Sequence, residues 1–277
     1  IYPQSTSAEQ RLNGYNDRMS LNSNSIVKNI SFRNIGPSVM SGRVVDLDIN
    51  PNDPSHFYVA YASGGLWETK NHGNSFVSLF DNQMVMTIGD IKVDWQNNII
   101  YVGSGENNSS RSSYSGNGIY KSVDNGKNWD NIGLQESHHI GRIIIHPKNP
   151  EIIWVASLGH LYSSSSERGI YKSLDGGLTW TNKLYVNDYT GAIDLVLDET
   201  NPDVLYASMW EKDRKAWNFD GSGIGSGIYK SIDGGENWIE ISGGQSGFPD
   251  TCLLYTSPSP RDQRGARVAA YGWKKKG

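Results

Sequence analysis

The stretch Gly118-Ile-Tyr-Lys-Ser-Val-Asp-Asn-Gly-Lys-Asn-Trp129 decides the fold, because the chain writes it three more times. The other copies are Gly65-Leu-Trp-Glu-Thr-Lys-Asn-His-Gly-Asn-Ser-Phe76, Gly169-Ile-Tyr-Lys-Ser-Leu-Asp-Gly-Gly-Leu-Thr-Trp180 and Gly227-Ile-Tyr-Lys-Ser-Ile-Asp-Gly-Gly-Glu-Asn-Trp238. Between the shared glycines Gly73, Gly126, Gly177 and Gly235 the intervals are 53, 51 and 58 residues. A fixed period of this size marks an array of one supersecondary unit.

Working outward from each copy, an apolar run precedes it: Gly42-Arg-Val-Val-Asp-Leu-Asp-Ile49, Ile88-Gly-Asp-Ile-Lys-Val93, Ile140-Gly-Arg-Ile-Ile-Ile145 and Gly191-Ala-Ile-Asp-Leu-Val-Leu197. A turn follows at Asn50-Pro51, Gln96-Asn97-Asn98, Asn149-Pro150 or Asn201-Pro202, then a second run such as Phe57-Tyr-Val-Ala-Tyr61 or Ile152-Ile-Trp-Val-Ala156. β-Branched and aromatic runs cut by Gly, Pro and Asn are strands, and helical periodicity is essentially absent. Each unit reads as four short antiparallel strands, A to D, with the repeated motif bridging C and D. Four strands in about 50 residues make a propeller blade. The expected fold is therefore all-β, a β-propeller with four blades over about 40–81, 87–133, 139–186 and 190–243.

The repeated residues suit a tight turn. Asp124, Asp175 and Asp233 can accept hydrogen bonds from nearby backbone N–H groups. Gly126, Gly177 and Gly235 supply positive φ; Ser122, Ser173 and Ser231 offer a hydroxyl to the same turn. Trp129, Trp180 and Trp238 open strand D and can bury a large apolar surface between blades. The first copy keeps Gly73 but has Asn71 for Asp and Phe76 for Trp. A turn tolerates that exchange and catalysis would not, so these residues read as structural.

Ser-x-Asp-x-Gly-x-x-Trp resembles the Asp-box, or bacterial neuraminidase repeat. Residues from about Phe32 to Pro249 are similar to the Asp-box propellers grouped with the amino-terminal domain of sortilin, and most like large secreted bacterial, glycosyl hydrolase-like members. Phe32-Arg-Asn-Ile-Gly-Pro37 with Ser41-Gly-Arg43, Gly103-Ser-Gly-Glu-Asn-Asn108, Ser137-His-His-Ile-Gly-Arg142 and Glu167-Arg-Gly-Ile-Tyr171 support the likeness. It implies a bacterial secreted, cell-surface or periplasmic protein whose propeller has more blades than the four here. It specifies fold well and function poorly.

Residues 1–31 are polar, rich in Asn and Ser, and are expected to form a flexible leader. At the other end the pattern stops after Gly247-Phe-Pro249. Cys252-Leu-Leu-Tyr-Thr-Ser-Pro-Ser-Pro-Arg-Asp262 resembles a translated sequencing adapter, so 251–277 is expected to be non-native. That tail carries six basic residues and one acid, so setting it aside takes the formal net charge from −4 to −9 and removes the only cysteine. An acidic, cysteine-free body argues against a nucleic-acid partner and against disulfide or thiol chemistry. No apolar stretch long enough to span a membrane is present, and no cofactor is implied.

Chemistry is expected on the face opposite the boxes, on the B-to-C loops (Glu106, Arg111 and Tyr114; His160, Glu167 and Arg168; Trp210, Arg214 and Trp217) and the D-to-A loops (Glu136, His138, His139, Asp188 and Tyr189). Arg43 and Arg142 begin A strands, which line the central channel. Glycoside hydrolysis needs two carboxylates flanking the bond, one protonated and one ionised, with Trp210 or Trp217 stacking on a sugar. Against it, the Phe/Tyr-Arg-Ile-Pro motif of sialidases runs on here as Phe32-Arg-Asn-Ile-Gly-Pro37. The Thr-Asp-x-Gly-Gly-x-Tyr pattern of Asp-box xyloglucanases has no aspartate in Tyr61-Ala-Ser-Gly-Gly-Leu-Trp67. A metal site from Glu136, His138, His139 and His160 is disfavoured, because neighbouring histidines in an extended strand point oppositely. No metal is expected. The favoured reading is a binding or scaffold module for peptide, protein or glycan, with arginines meeting carboxylates; inter-blade ion pairing is the plain alternative for those arginines.

Overall fold

The computed structural model describes residues 5–30 and 42–242. The motif from Phe32 to Ser41, residues 243–250 and the 251–277 tail lie outside the described residues. The first blade comprises β1 (Val44–Ile49), β2 (Phe57–Tyr61), β3 (Gly65–Thr69) and β4 (Val77–Ser78); the second, β5 (Ile88–Asp94), β6 (Ile99–Ser104), β7 (Ile119–Ser122) and β8 (Asp130–Asn131). The third holds β9 (Ile140–Ile145), β10 (Ile153–Ser157), β11 (Gly169–Ser173) and β12 (Thr181–Leu184). The fourth holds β13 (Thr190–Leu197) and β14 (Leu205–Glu211), then a small hairpin of β15 (Asp213–Arg214) and β16 (Phe219–Asp220), then β17 (Gly227–Ser231) and β18 (Ile239–Glu240). Every blade is a four-stranded antiparallel meander, so the chain is all-β with propeller blades, as its sequence indicates.

Each blade hides its apolar side chains against its neighbour. Tyr58, Ala60 and Leu66 of the first blade meet Ile91, Val93 and Val102 of the second. Tyr101 and Ile119 of the second meet Ile143, Val155 and Tyr171 of the third. Trp154, Ala156 and Ile170 of the third meet Leu195, Ala207 and Met209 of the fourth. At about 25 cal/mol per Å² of apolar area, these three interfaces are the main force holding the blades together.

The inner strands make the closest approach. β1, β5, β9 and β13 each carry a bulge against their hairpin partner, after which stand Asp46, Asp90, Arg142 and Asp194. In the second and third blades the bulge residue is glycine. A Cβ on Gly89 would lie 2.0 Å from the Ile140 carbonyl oxygen, and one on Gly141 would lie 2.3 Å from that of Ile193. The residues after the bulge then reach across: Asp46 accepts from the Ile91 N–H (3.3 Å), Asp48 from Val93 (3.0 Å) and Asp90 from Ile143 (2.6 Å).

The repeated turns close as the sequence suggests. Ser122, Ser173 and Ser231 Oγ accept from the N–H of Gly126, Gly177 and Gly235 at 2.8, 2.8 and 2.9 Å. Those glycines have φ between 80° and 96°. Asp124, Asp175 and Asp233 each accept the backbone N–H four residues ahead at 2.9 Å. Asn71 does the same for Ser75, with Thr69 in the serine's place, so the degraded copy keeps the shape. Trp129 and Trp180 donate their indole N–H to Leu79 and Ile132 carbonyls of the preceding blade, at 3.0 and 2.8 Å.

Within the polar leader a helix forms, α1 (Ala8–Asn24), which hydrophobic periodicity does not announce because none of its residues is buried. Its start is a capping box in which Ser7 and Gln10 exchange side-chain-to-backbone hydrogen bonds. Arg11 ties it to the second blade by donating to the Gly116 and Gln135 carbonyls, both at 2.7 Å. No helix among the described residues is long and apolar enough to cross a membrane.

Two outcomes follow. Gly89→Ala drives a Cβ into backbone and is expected to destabilise by about 3 kcal/mol or more, whereas Gly14→Ala on α1, with nothing within 4 Å, is not; urea denaturation midpoints compare them. The turn carboxylates of Asp124, Asp175 and Asp233 are held down to about 2, chiefly by the amides and side-chain donors ahead of them. Their folded-state pKa lies below the unfolded value, so their stabilisation is complete above pH about 4 and fades toward pH about 2. Replacing all three by Asn should flatten that acid limb of the thermal midpoint against pH; an unchanged limb would refute it.

Candidate functional site

Two regions gather the polar side chains. The first is a cavity of about 810 Å³ along the inner strands, where Asp46, Asp90, Arg142, His146 and Asp194 all contribute to the lining. Arg142 sits between blades, its Nη1 2.9 Å from Asp90 and its Nε 2.8 Å from Asp194. Burial pushes the Asp90 carboxyl well up, against the pull of Arg142, and Asp46 hydrogen-bonds the same group. The attraction of Asp90 and Asp194 raises the Arg142 guanidinium in spite of burial.

The spacing decides what this cluster can do. A hydrolase holds its carboxyls about 5–10 Å apart with the bond between them. Here, however, both oxygens of Asp90 are already taken, one by Arg142 and one by the Ile143 amide. The geometry is that of an inter-blade clamp.

The second region is the loop face. The β6–β7 loop, the β10–β11 loop and the β14–β17 segment meet there with the connections into β9 and β13. Gly116 N–H donates to the His138 carbonyl (2.6 Å), Tyr162 Oη to that of Arg111 (3.2 Å), and Lys212 N–H to that of Tyr189 (3.3 Å). Several residues expected to bind are consumed here by structural contacts. Arg43 pairs with the buried Glu106 of the next blade. Arg168 is fully buried and clips its own loop, donating to the carbonyls of Leu158 (2.5 Å), His160 (2.7 Å) and Ser163 (3.1 Å). Burial pushes its guanidinium down to about 10. Trp210 donates to the Gly221 carbonyl at 2.8 Å, and Arg214 lies over the Phe219 ring.

Glu136, His138 and His160 do come together. The two imidazoles stack with centroids 3.8 Å apart, and burial pushes His138 down to about 2. Glu136 accepts the Ala8 N–H at 2.6 Å, so α1 begins over this cluster. His139 turns away, its Nδ1 2.7 Å from the Glu106 carbonyl oxygen. Lys212, which the sequence does not single out, is also buried beside it, 3.5 Å from the His160 carbonyl, and burial holds its amine well below its usual range.

Among the side chains open to solvent are several aromatics. Tyr114, Tyr162, Tyr185, Tyr189 and Trp217 project from loops of the last three blades, Trp217 being 81 % exposed. Tyr162 and Tyr185 escape a motif search because nothing in their spacing separates them from strand tyrosines.

The fold resembles that of an ancestral GH74 enzyme (TM-score 0.56, 19% identity, covering 75% of this chain and 26% of that one). It also resembles the GH74 xyloglucanase from Xanthomonas campestris (TM-score 0.53, 16% identity, covering 74% and 31%). YCF48 bound to D1 peptide aligns at a TM-score of 0.46 and 15% identity, over 76% of this chain and 56% of that one. The likeness to the two enzymes shows a β-propeller fold, and the chain spans between about a quarter and a third of their length. No family model matches the sequence. No curated protein matches it either.

Arg142→Ala would strand Asp90 as a buried carboxyl without its cation. We expect a loss of about 3 kcal/mol, the low end for a buried pair because Arg142 is itself more than a third exposed. A urea midpoint within error of the parent would show that the clamp is dispensable.

Proposed function

We propose that this chain is part of an Asp-box, sortilin-like propeller of a secreted bacterial protein, and that it binds a peptide or glycan on its loop face. The observation that carries this is the run of exposed aromatics Tyr114, Tyr162, Tyr185, Tyr189 and Trp217 on the loops of successive blades. Large aromatic rings held in water cost solvation and bring nothing to the core. Their faces suit the C–H surface of a sugar or the side chains of an extended peptide. Arg43, Arg168 and Arg214 are engaged by Glu106, by loop carbonyls and by the Phe219 ring, whereas Arg111 is exposed beside Tyr114, so recognition rests on the rings, on Arg111 and on loop polar groups. The Ser-x-Asp-x-Gly turns support the Asp-box assignment by their shape and take no part in binding.

A second reading, glycoside hydrolase, has one observation in its favour: Asp90 is pushed toward its protonated form beside Asp46, the pairing of a neutral and an ionised carboxyl that hydrolysis requires. The clamp that takes both oxygens of Asp90 weighs against it.

Both readings meet one experiment. A panel of plant and bacterial glycans and of unstructured peptides is titrated against the protein, with hydrolysis followed in parallel. Binding should weaken about tenfold in Trp217→Ala and in Tyr114→Ala, roughly 1.4 kcal/mol each, without product formation. Turnover abolished by Asp90→Asn in a folded protein would replace the binding reading by the hydrolase.

A further inference from the structure

His138 and His160 approach each other by a route that sequence neighbours do not show. His138 ends the short turn Gln135–Ser137 that leads into β9, and His160 lies in the β10–β11 loop of the same blade. Glu136 stands on that turn, and one ligand atom from each of the three residues lies within 4.8 Å of the others.

The chemistry of each donor fits. His138 Nε2 is buried and has no hydrogen-bond partner, although its side chain is 90 % withdrawn from water. Leaving a polar nitrogen in that state costs about 1–3 kcal/mol. It faces Glu136 Oε2 at 3.9 Å. His160 Nε2 lies 3.1 Å from the Glu136 carbonyl oxygen, which can only accept, so Nε2 carries the proton and Nδ1 keeps the lone pair. A ring nitrogen donating to a backbone carbonyl is the usual support of a metal-bound imidazole. Ser163 Oγ, 2.9 Å from Nδ1, supplies a hydroxyl that can rotate away.

We propose that Glu136, His138 and His160 bind a divalent transition-metal ion of the zinc class. The ligands are two imidazole nitrogens and one carboxylate oxygen, a set that zinc accepts and that the oxygen-seeking calcium and magnesium ions do not favour. Zinc-to-ligand distances of about 2.0–2.2 Å place tetrahedral ligands about 3.3 Å apart. The three side chains therefore close by up to about 1.5 Å, and the two imidazoles turn out of their present stack so that both in-plane lone pairs meet the ion. The ion supplies the partner that His138 Nε2 lacks. It also competes with Arg11, whose Nη2 lies 3.5 Å from Glu136 Oε2, so binding loosens one of the ties of α1 to the second blade. This site does not depend on the aromatic surface or on the ligand proposed there.

The full chain is treated with chelator and titrated with Zn²⁺, Co²⁺ and Mg²⁺ by calorimetry, and Co²⁺ is also followed by its visible absorption. One equivalent of Zn²⁺ should bind, Mg²⁺ should not compete, and Co²⁺ should show the bands of a site with nitrogen ligands. His138→Ala and His160→Ala should each weaken Zn²⁺ at least tenfold. Glu136→Gln, which keeps a carbonyl oxygen for the Ala8 amide and so preserves the fold, should do the same. Arg11→Ala, by removing the competitor, should tighten it. Folded parent protein that takes up no Zn²⁺, or binding unchanged in His160→Ala and Glu136→Gln, would overturn the proposal.

Discussion

The inner strand of every blade is an edge strand, and the rest of the structure depends on how its free edge is satisfied. An unpaired row of N–H groups buried in a propeller would each cost about 1–3 kcal/mol, and left open it would invite other strands. Here the carboxylates after the bulge of one blade accept the N–H groups of the next: Asp46 and Asp48 serve β5, and Asp90 serves β9. Glycine at the bulges of the second and third blades lets the strands come close enough for this. The apolar interfaces set the strength of blade-to-blade packing, and the carboxylates set its register.

The same bonds occupy the charged groups of the inner-strand cavity. Where the third blade has Arg142 in place of an acid, the longer side chain reaches back to Asp90 and forward to Asp194. Three acids and one base thus line a ring of equivalent positions, and each is spoken for. The charge that looks like catalytic equipment is spent on assembly. The loops, whose paths are not dictated by the blade repeat, carry the aromatics that stay partly or largely exposed among the described residues.

How much of this could be read from the sequence depends on the range of the interaction. The Ser, Asp and Gly of each turn bond partners four residues away or fewer, so their roles are legible in a single copy. Arg142 bonds partners 52 residues away on either side, which is one repeat period. It stands at the repeat position that Asp90 and Asp194 hold in their blades; the motif alone leaves ligand binding and inter-blade ion pairing open, and the structure has the ion pairing. The adjacent pair His138-His139 drew attention in the sequence, and the structure separates them: His139 faces Glu106 and His138 meets His160, an encounter set by loop paths. The helix α1 left one local trace, the Ser7-to-Gln10 capping box, and no apolar stripe.

One position read across all four blades carries the assembly rule to its limit. Tyr58, Tyr101 and Trp154 occupy equivalent register positions in the B strands of the first three blades, opposite Asp48, Lys92 and Ile144, and each is 1 % exposed because the next blade covers it. Tyr206 occupies that place in the fourth blade and is 37 % exposed, with Val196 on β13 57 % exposed. Asp194, at the position from which Asp46 and Asp90 bond the next strand, turns back to Arg142 and to its own neighbour's N–H at Leu195. Among the described residues, the fourth blade therefore presents the apolar face that the first three bury. A propeller array is specified by nearest-neighbour contacts. The apolar packing that docks the second, third and fourth blades leaves the matching face of the fourth open among the described residues.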